Sequence, residues 1–370
     1  MTTATPNTKI EILTFAKAGF LVNGQHYLFR TIFLDPKNGT TLPSHLHQAN
    51  RAGGLEFDVD RYGNMEKAWT TARADLGDIL IVDPNQPAQD QKTRSNSNRQ
   101  TFESAIIIQE KSGVKSPIDP NRKTIKIRDA MRSCFAAMFP VGQVHQVKML
   151  EIGISHGVLR LPAGLQLEIQ TLCASRNGNN IINAIAKILS KSSFPIQLIS
   201  ANVTGPNDPI FKNNIFRTCK SVQFEILSGG GKWAETLLRM KQPKIQLFGK
   251  NEIPMSDVLI LAKNWMETRR EIGHVFSMTT KKVQQRLAWI KEKLDAREVV
   301  LNERSCTKYP RAVSVPINTD LELNFYIQEQ PYSNLRSDFP DLAPFMIVME
   351  MMKAGSAEPM NYCKYWYMTF

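Results

Sequence analysis

Cysteine is scarce and scattered in this sequence. The chain has 370 residues and five cysteines, and no two of them form a C-x-x-C pair. Disulfide-stabilised secreted domains and structural zinc sites both depend on cysteines at short, regular spacing. We therefore expect a reducing, cytoplasmic setting and neither a bound metal nor a cofactor.

Long apolar runs are also missing. A membrane-spanning helix needs roughly 18–20 consecutive apolar residues, and the sequence has no such stretch. Residues 1–12 lack the basic region and the apolar run of a secretion signal. We expect a protein that neither spans a membrane nor is secreted, and its 42% hydrophobic content is sufficient for a folded core.

Acidic residues are fewer than basic ones. There are 34 Asp and Glu against 46 Lys and Arg, which gives a formal charge of +12. Residues 92–132 alone contain ten basic and four acidic residues. Such a concentration of positive charge favours an acidic partner, and nucleic acid is the most common one.

The apolar patterns predict an α+β fold. Runs rich in β-branched and aromatic residues predict strands that include Ile10–Val22, Tyr27–Leu34 and Ile79–Val82. Apolar residues at helical spacing predict helices at Ile125–Phe139, Met255–Arg270, Thr279–Arg297 and Leu342–Lys353. We expect a β-rich N-terminal domain, residues 1–203, with mobile basic loops between residues 84 and 123. A mixed, more helical C-terminal domain, residues 204–370, follows, and no internal repeat is visible.

One pentapeptide matches a hydrolase motif. Gly153–Gly157 fits the G-x-S-x-G pattern of a nucleophile elbow, with Ser155 as the nucleophile. That motif requires a helix after the serine, whereas Val158–Gln170 alternates like a strand and contains Pro162 and Gly164. A hairpin turn is the favoured interpretation, and a serine hydrolase remains an alternative.

Two further segments are weak candidates for ligand sites. Ser228–Lys232 is glycine-rich and ends in lysine, but it lacks two residues of a Walker A motif, so a flexible turn is favoured. In the functional alternative, Lys232 contacts an RNA phosphate and Trp233 stacks on a base. His45 and His47 have no further metal ligand at suitable spacing, which favours a solvated loop. We expect no enzyme.

Basic and aromatic residues are interleaved at several places, as they are on nucleic-acid-binding surfaces. Cations neutralise phosphates while flat rings stack on bases, although any single pair is also explained by a core ring beside a surface cation. The residues that we expect to contact RNA phosphates are Lys123, Lys126, Arg128, Arg132, Lys232, Lys281, Lys282 and Arg286. The residues that we expect to stack on bases are Trp233 and Trp289.

Short segments resemble two viral families. Asp338–Phe345 and the aromatic segment that ends at Phe370 resemble parts of the nucleocapsid proteins of negative-strand RNA viruses. Those proteins hold RNA in a basic groove and polymerise through an exchanged arm. Ile79–Asp83 is similar to the apolar strand, ending in aspartate, of the thirty-kilodalton-type movement proteins of plant viruses.

These resemblances and the charge imply a function. We expect a nucleoprotein that binds single-stranded RNA without sequence preference, forms homo-oligomers and packages RNA in the host cytoplasm and the virion. A movement or membrane-associated structural protein is the alternative implied by the second resemblance.

Overall fold

The chain divides into two compact units. They comprise Met1–Ile196 and Gln197–Phe370, whereas the sequence-based boundary was placed between residues 203 and 204. The computed structural model describes residues 9–16, 19–34, 42–56, 58–59, 76–81, 104–110, 126–154, 157–174, 177–228, 230–249, 251–301, 304–329 and 344–359. The predicted loops between residues 84 and 100 and between residues 111 and 123 lie outside these ranges.

The first unit combines a mixed sheet with short helices. Its described strands are β1 (Ile10–Ala16), β2 (Gly19–Val22), β3 (Gln25–Phe33), β4 (Ile79–Ile81), β5 (Ser104–Glu110), β6 (Val144–Ile152), β7 (Gly157–Leu159) and β8 (Gln166–Ala174). Its described helices are α1 (Ser44–Arg51), α2 (Ile127–Met138) and α3 (Gly178–Ile185). The strand order is β8-β6-β1-β2-β3-β5, with β6 parallel to both β1 and β8, and β4 pairs separately with β7.

Helix α2 contributes aromatic side chains to the core of this unit. Phe135 stacks on Phe139 with ring centroids 4.3 Å apart, and Phe20 meets Phe135 edge-on at 5.1 Å. The helical spacing in the sequence predicted this buried face, and the prediction is confirmed, because Met131 and Phe135 are buried. Burial of this apolar face is the main stabilisation of the helix.

The start of α2 is capped from a distant part of the chain. Lys126 occupies the N-cap position, and its side chain cannot accept a hydrogen bond. The Ile127 N–H donates instead to Asp58 Oδ1, at 2.6 Å. We predict that Asp58→Ala lowers the free energy of unfolding by about 1 kcal/mol, measured by chemical denaturation. Asp58→Asn keeps the acceptor and is the matched control. Equal stability of the wild type and Asp58→Ala would show that the cap contributes nothing.

The second unit contains a larger sheet. Its described strands are β9 (Leu198–Val203), β10 (Ser221–Ile226), β11 (Lys244–Phe248), β12 (Val275–Thr279), β13 (Arg297–Val300), β14 (Arg311–Pro316), β15 (Leu321–Glu329), β16 (Phe345–Lys353) and β17 (Glu358–Pro359). Its described helices are α4 (Asn214–Thr218), α5 (Ala234–Arg239), α6 (Met255–Thr268) and α7 (Val283–Leu294). The strand order is β17-β13-β14-β15-β16-β12-β11-β10-β9. The expectation of a more helical C-terminal part is therefore wrong.

Strand β16 is the element that the sequence pattern predicted least correctly. The sequence-based helix at Leu342–Lys353 is in fact a strand over Phe345–Lys353, paired on its two sides with β15 and β12. Its side chains are buried from Met346 to Met351. A strand buried on both faces is apolar throughout, and periodicity does not distinguish such a run from a buried helix.

Strands β9, β10 and β11 recur at a regular spacing that the sequence did not reveal, and β12 follows as a fourth parallel strand after a longer connection. They are parallel neighbours in chain order, and each connection contains at least one helix. Leu198 pairs with Ser221, and Ser221 pairs with Lys244, so that β10 and β11 each follow the previous strand by 23 residues. One strand and one crossover per 20–29 residues is the arrangement of a leucine-rich-type repeat.

One face of these four strands is apolar and packs against the connections. The aligned side chains form two buried ladders, Ile199–Val222–Ile245–Phe276 and Ala201–Phe224–Leu247–Met278. Trp233, which precedes α5, lies nearly parallel to Phe224 at a centroid distance of 6.1 Å. Crossovers of a single hand between successive parallel strands lie on the same side of the sheet. The opposite face of these strands is therefore formed by the side chains that alternate with the two ladders.

Candidate functional site

Five exposed cations lie where the parallel strands of the second unit begin. The amino ends of parallel strands meet at one edge of a sheet, and neighbouring strands are about 4.8 Å apart. Lys220 directly precedes β10, and Lys244 is the first residue of β11. The full set, which we call the basic edge, is Arg217, Lys220, Lys241, Lys244 and Arg269.

The basic edge keeps its charge available to a ligand. Among the described residues, none of its five side chains forms an ion pair. Two exposed acidic residues, Glu267 and Glu271, lie close to Arg269 in sequence and partly offset its positive charge. The cations around β10 and β11 therefore form the most positive part of this edge.

A row of polar side chains crosses the sheet beside the basic edge. Ser200, Gln223, Gln246 and Ser277 are register partners on successive strands and alternate with the buried ladders, so they lie on the opposite face. We call this set the polar row. Gln223 and Ser277 are each only 6% exposed, while Ser200 and Gln246 are partly exposed.

The cations predicted on α2 lie in the first unit, and two of them, Arg128 and Arg132, are engaged by carboxylates. Asp78, whose side chain is fully buried, pairs with Arg132 at 2.8 Å and also with Arg160. Arg128 is 3.8 Å from Asp129, and Lys126 lies just before the helix. The structure thus gives Arg132 a structural partner, and Lys123 lies outside the described residues.

Three other predicted cations lie at the opposite edge of the parallel strands from the basic edge. Lys232 follows β10, and Lys281 and Lys282 follow β12, so all three are beyond the carboxyl ends of their strands, and all are exposed. Arg286 forms an ion pair with Glu252, whose other oxygen accepts the Lys281 N–H at 3.2 Å. This edge is therefore less positive than the basic edge.

The two predicted stacking residues differ in burial. Trp233 is 1% exposed and packs between Phe224 and Phe211, so its ring is not available to a base. Trp289 lies on α7 and is partly exposed, and its stacking role stays a prediction. Burial distinguishes these two tryptophans, although each has a lysine within two residues in the sequence.

The first two N–H groups after the glycine-rich segment are bonded to a carboxylate. The N–H groups of Trp233 and Ala234, at the start of α5, donate to Asp257 Oδ2 at 2.6 and 3.3 Å. A buried carboxylate on α6 thus occupies the place that a phosphate oxygen would take in a phosphate-binding loop. The turn interpretation fits this arrangement.

The described residues provide no support for nucleophilic catalysis. Ser155 and His156 lie outside them, and the segment that follows is strand β7, whereas a nucleophile elbow continues as a helix. Burial raises the pKa of the Cys219 thiol to about 12 and that of the Cys173 thiol to about 11. These two thiols are therefore protonated near neutral pH and poorly nucleophilic.

Two buried carboxylates on adjacent strands have structural partners. Glu322 accepts hydrogen bonds from Arg297 Nη2 at 3.0 Å, Asn324 Nδ2 at 3.1 Å and the Ala357 N–H at 2.9 Å. Glu350 accepts one from the Tyr326 hydroxyl at 2.5 Å. Burial, strengthened by that neighbouring carboxylate, raises the pKa of Tyr326.

The described residues offer neither a metal-binding cluster nor a membrane-spanning helix. Within the described ranges, no group of three or more His, Cys, Asp or Glu residues is placed to hold a metal ion. His45 and His47 are exposed on α1, two residues apart, and such neighbours do not share a helix face. None of the described helices has the length and apolarity needed to cross a membrane.

Sequence reasoning missed both the basic edge and the polar row. Lys220 and Lys244 are 24 residues apart, and nothing in the local sequence brings them together. The signal was the recurrence of alternating apolar positions at Ile199, Val222 and Ile245, which are spaced by 23 residues. Aligning these positions places the cations at the same edge.

Comparison with known proteins gives one match over part of the chain. Residues 126–282 match the model of a domain of unknown function, DUF3557. The matched range includes the basic edge and the polar row. No curated protein and no solved structure matches the chain.

Proposed function

We propose that this protein binds single-stranded RNA without sequence preference, and that the basic edge is the site of phosphate contact. The observation that carries the proposal is the alignment of exposed cations, without ion pairs among the described residues, at the beginning of β10 and β11. The register of Ser221 with Lys244 brings Lys220 and Lys244 to the same edge of the sheet, which supports contact of both with one RNA strand. Phosphate contacts of this kind supply most of the affinity in non-specific binding.

The overall charge supports the same proposal. The formal charge of +12 attracts any polyanion, and the basic edge provides a defined place for it. The sequence-based contacts Lys123, Lys126, Arg128, Lys281 and Lys282 remain proposals for secondary contacts. Binding at those positions would add to the affinity without replacing the basic edge.

A charge-removal variant tests the proposal. We predict that combined substitution of Arg217, Lys220 and Lys244 by glutamine lowers RNA affinity roughly ten-fold or more at about 50 mM salt. The slope of log affinity against log salt should become shallower by about 2, since each contact to a single strand contributes about 0.7. Gel-shift titration with unrelated RNA oligomers measures both quantities.

The matched control removes three exposed cations elsewhere in the same unit. These are Lys263, Arg311 and Lys353, replaced together by glutamine so that the loss of net charge is the same. The RNA affinity of this control variant should stay within about three-fold of the wild-type affinity. Equal losses in the two variants would mean that net charge alone governs binding, and the absence of binding by the wild type would refute the proposed function.

Self-association into homo-oligomers is a second part of the proposal. Its support is the aromatic and apolar segment Met360–Phe370, which lies outside the described residues. Aromatic residues and methionine are enriched where chains associate. Deletion of residues 360–370 followed by sedimentation analysis tests this part, and an unchanged oligomeric state would contradict it.

A further inference from the structure

The polar row contains hydrogen-bonding groups without protein partners. Within the described part of the chain, neither the amide of Gln223 nor the hydroxyl of Ser200 or Ser277 forms a hydrogen bond with another residue. Gln223 as a whole residue is only 6% exposed. The side-chain nitrogen and oxygen atoms of these three residues are nevertheless not fully enclosed, so they remain accessible to water or to a ligand.

Two other residues on this face, Gln246 and Phe248, suit a flat, polar ligand, and Glu225, the register partner of Phe248, adds a carboxylate there. Gln246 donates only a weak bond, from Nε2 to Met346 Sδ at 3.3 Å, and keeps its carbonyl oxygen available. Phe248, two residues further along β11, lies on the same face because strand side chains alternate, and it is partly exposed. Amide and hydroxyl groups bond to base edges, and an aromatic ring stacks on a base.

Because the basic edge adjoins the polar row, a polar ligand that also carries phosphates, such as nucleic acid, fits this surface best. Lys244 belongs to the same strand and the same face as Gln246 and Phe248, at alternate positions along β11. A strand rises about 3.3 Å per residue, so the three side chains lie in a line from the edge across the face. Phosphates at the edge would direct the attached bases over the polar row.

We propose that the bases of bound RNA lie across this face of β9–β12, with hydrogen bonds to Gln223 and Gln246 and stacking on Phe248. The inference rests on the proposed function and extends it, because it assigns the base-binding surface. A protein whose affinity comes from phosphates alone has no need of these side chains. Binding should therefore depend on the presence of bases as well as on phosphates.

The test compares an RNA oligomer with an abasic oligomer of equal length and charge. The wild type should bind the base-containing oligomer roughly ten-fold more tightly, because a base stacked on an aromatic ring adds affinity. Gln223→Met and Phe248→Leu should each reduce this preference and leave affinity for the abasic oligomer unchanged. Phe248 is partly exposed, so its variant keeps the test informative if Gln223→Met is unstable.

The outcomes separate this inference from the proposed function. If the wild type binds the two oligomers equally, or if both variants retain the full preference, the base-binding surface is refuted while RNA binding stands. Equal binding would assign the polar row to a different ligand class, such as an extended peptide. Failure of the wild type to bind either oligomer would refute the proposed function and this inference with it.

Discussion

Replacement of Trp233 by alanine is expected to lower the free energy of unfolding by about 3–5 kcal/mol. The indole is 1% exposed and packs between Phe224 and Phe211 beneath the parallel strands. Its removal leaves a large cavity under β10, which the surrounding helices and strands do not fill. A stacking residue on an RNA surface would show the opposite behaviour, with weaker binding and unchanged stability.

The matched control for this prediction is Trp289→Ala on α7. Trp289 is partly exposed, so its removal should cost less than half as much stability as that of Trp233. Chemical denaturation followed by circular dichroism measures both variants. An unchanged unfolding midpoint for Trp233→Ala would contradict its placement in the core.

Replacement of Asp78 by alanine should destabilise the first unit by a similar amount, about 3–5 kcal/mol. Its fully buried side chain pairs with both Arg132 and Arg160, and the Arg160 side chain is only 9% exposed. Loss of the carboxylate leaves a nearly buried guanidinium without its counter-charge, which is among the most costly changes in a protein.

Asp129→Ala is the control for the Asp78 variant. Asp129 also approaches Arg132, at 3.9 Å, but it is about half-exposed, at 47%, and an exposed pair contributes at most about 1 kcal/mol. Thermal unfolding of the two variants should therefore differ clearly. Equal, small effects would show that the buried ion pair is dispensable, and Arg132 would again be a candidate for RNA contact.

Local patterns predicted many elements of this fold. Helix α2 and helix α6 were expected from their apolar spacing, and strand β4 was expected from its compact apolar run. Each of these elements is determined mainly by residues that are close in sequence. Pattern reasoning is strongest under that condition.

Two elements that depend on distant partners were not predicted correctly. Strand β16 is apolar because it lies between β15 and β12, and its sequence alone also suits a helix. Strand β12 is short, and the predicted helix at Thr279–Arg297 began at its last residue. These strands determine the sheet of the second unit, so the fold class was wrong.

The candidate site was not predicted for the same reason, because it is formed by strands that are distant in sequence. The charge of the chain indicated an anionic ligand, but the concentration of cations in residues 92–132 directed attention to the first unit. The basic edge exists only because β10 and β11 are parallel and in register. The interpretation of Trp233 failed because its burial depends on the connection packed over β10.

Photo-crosslinking of bound RNA is the most direct measurement of the central claim. The full-length protein, freed of nucleic acid, is irradiated with a single-stranded RNA that contains 4-thiouridine, and the crosslinked peptides are identified by mass spectrometry. The basic edge and the polar row predict crosslinks concentrated between residues 217 and 248. Crosslinks confined to residues 126–132 and 281–289, or none at all, would contradict the account.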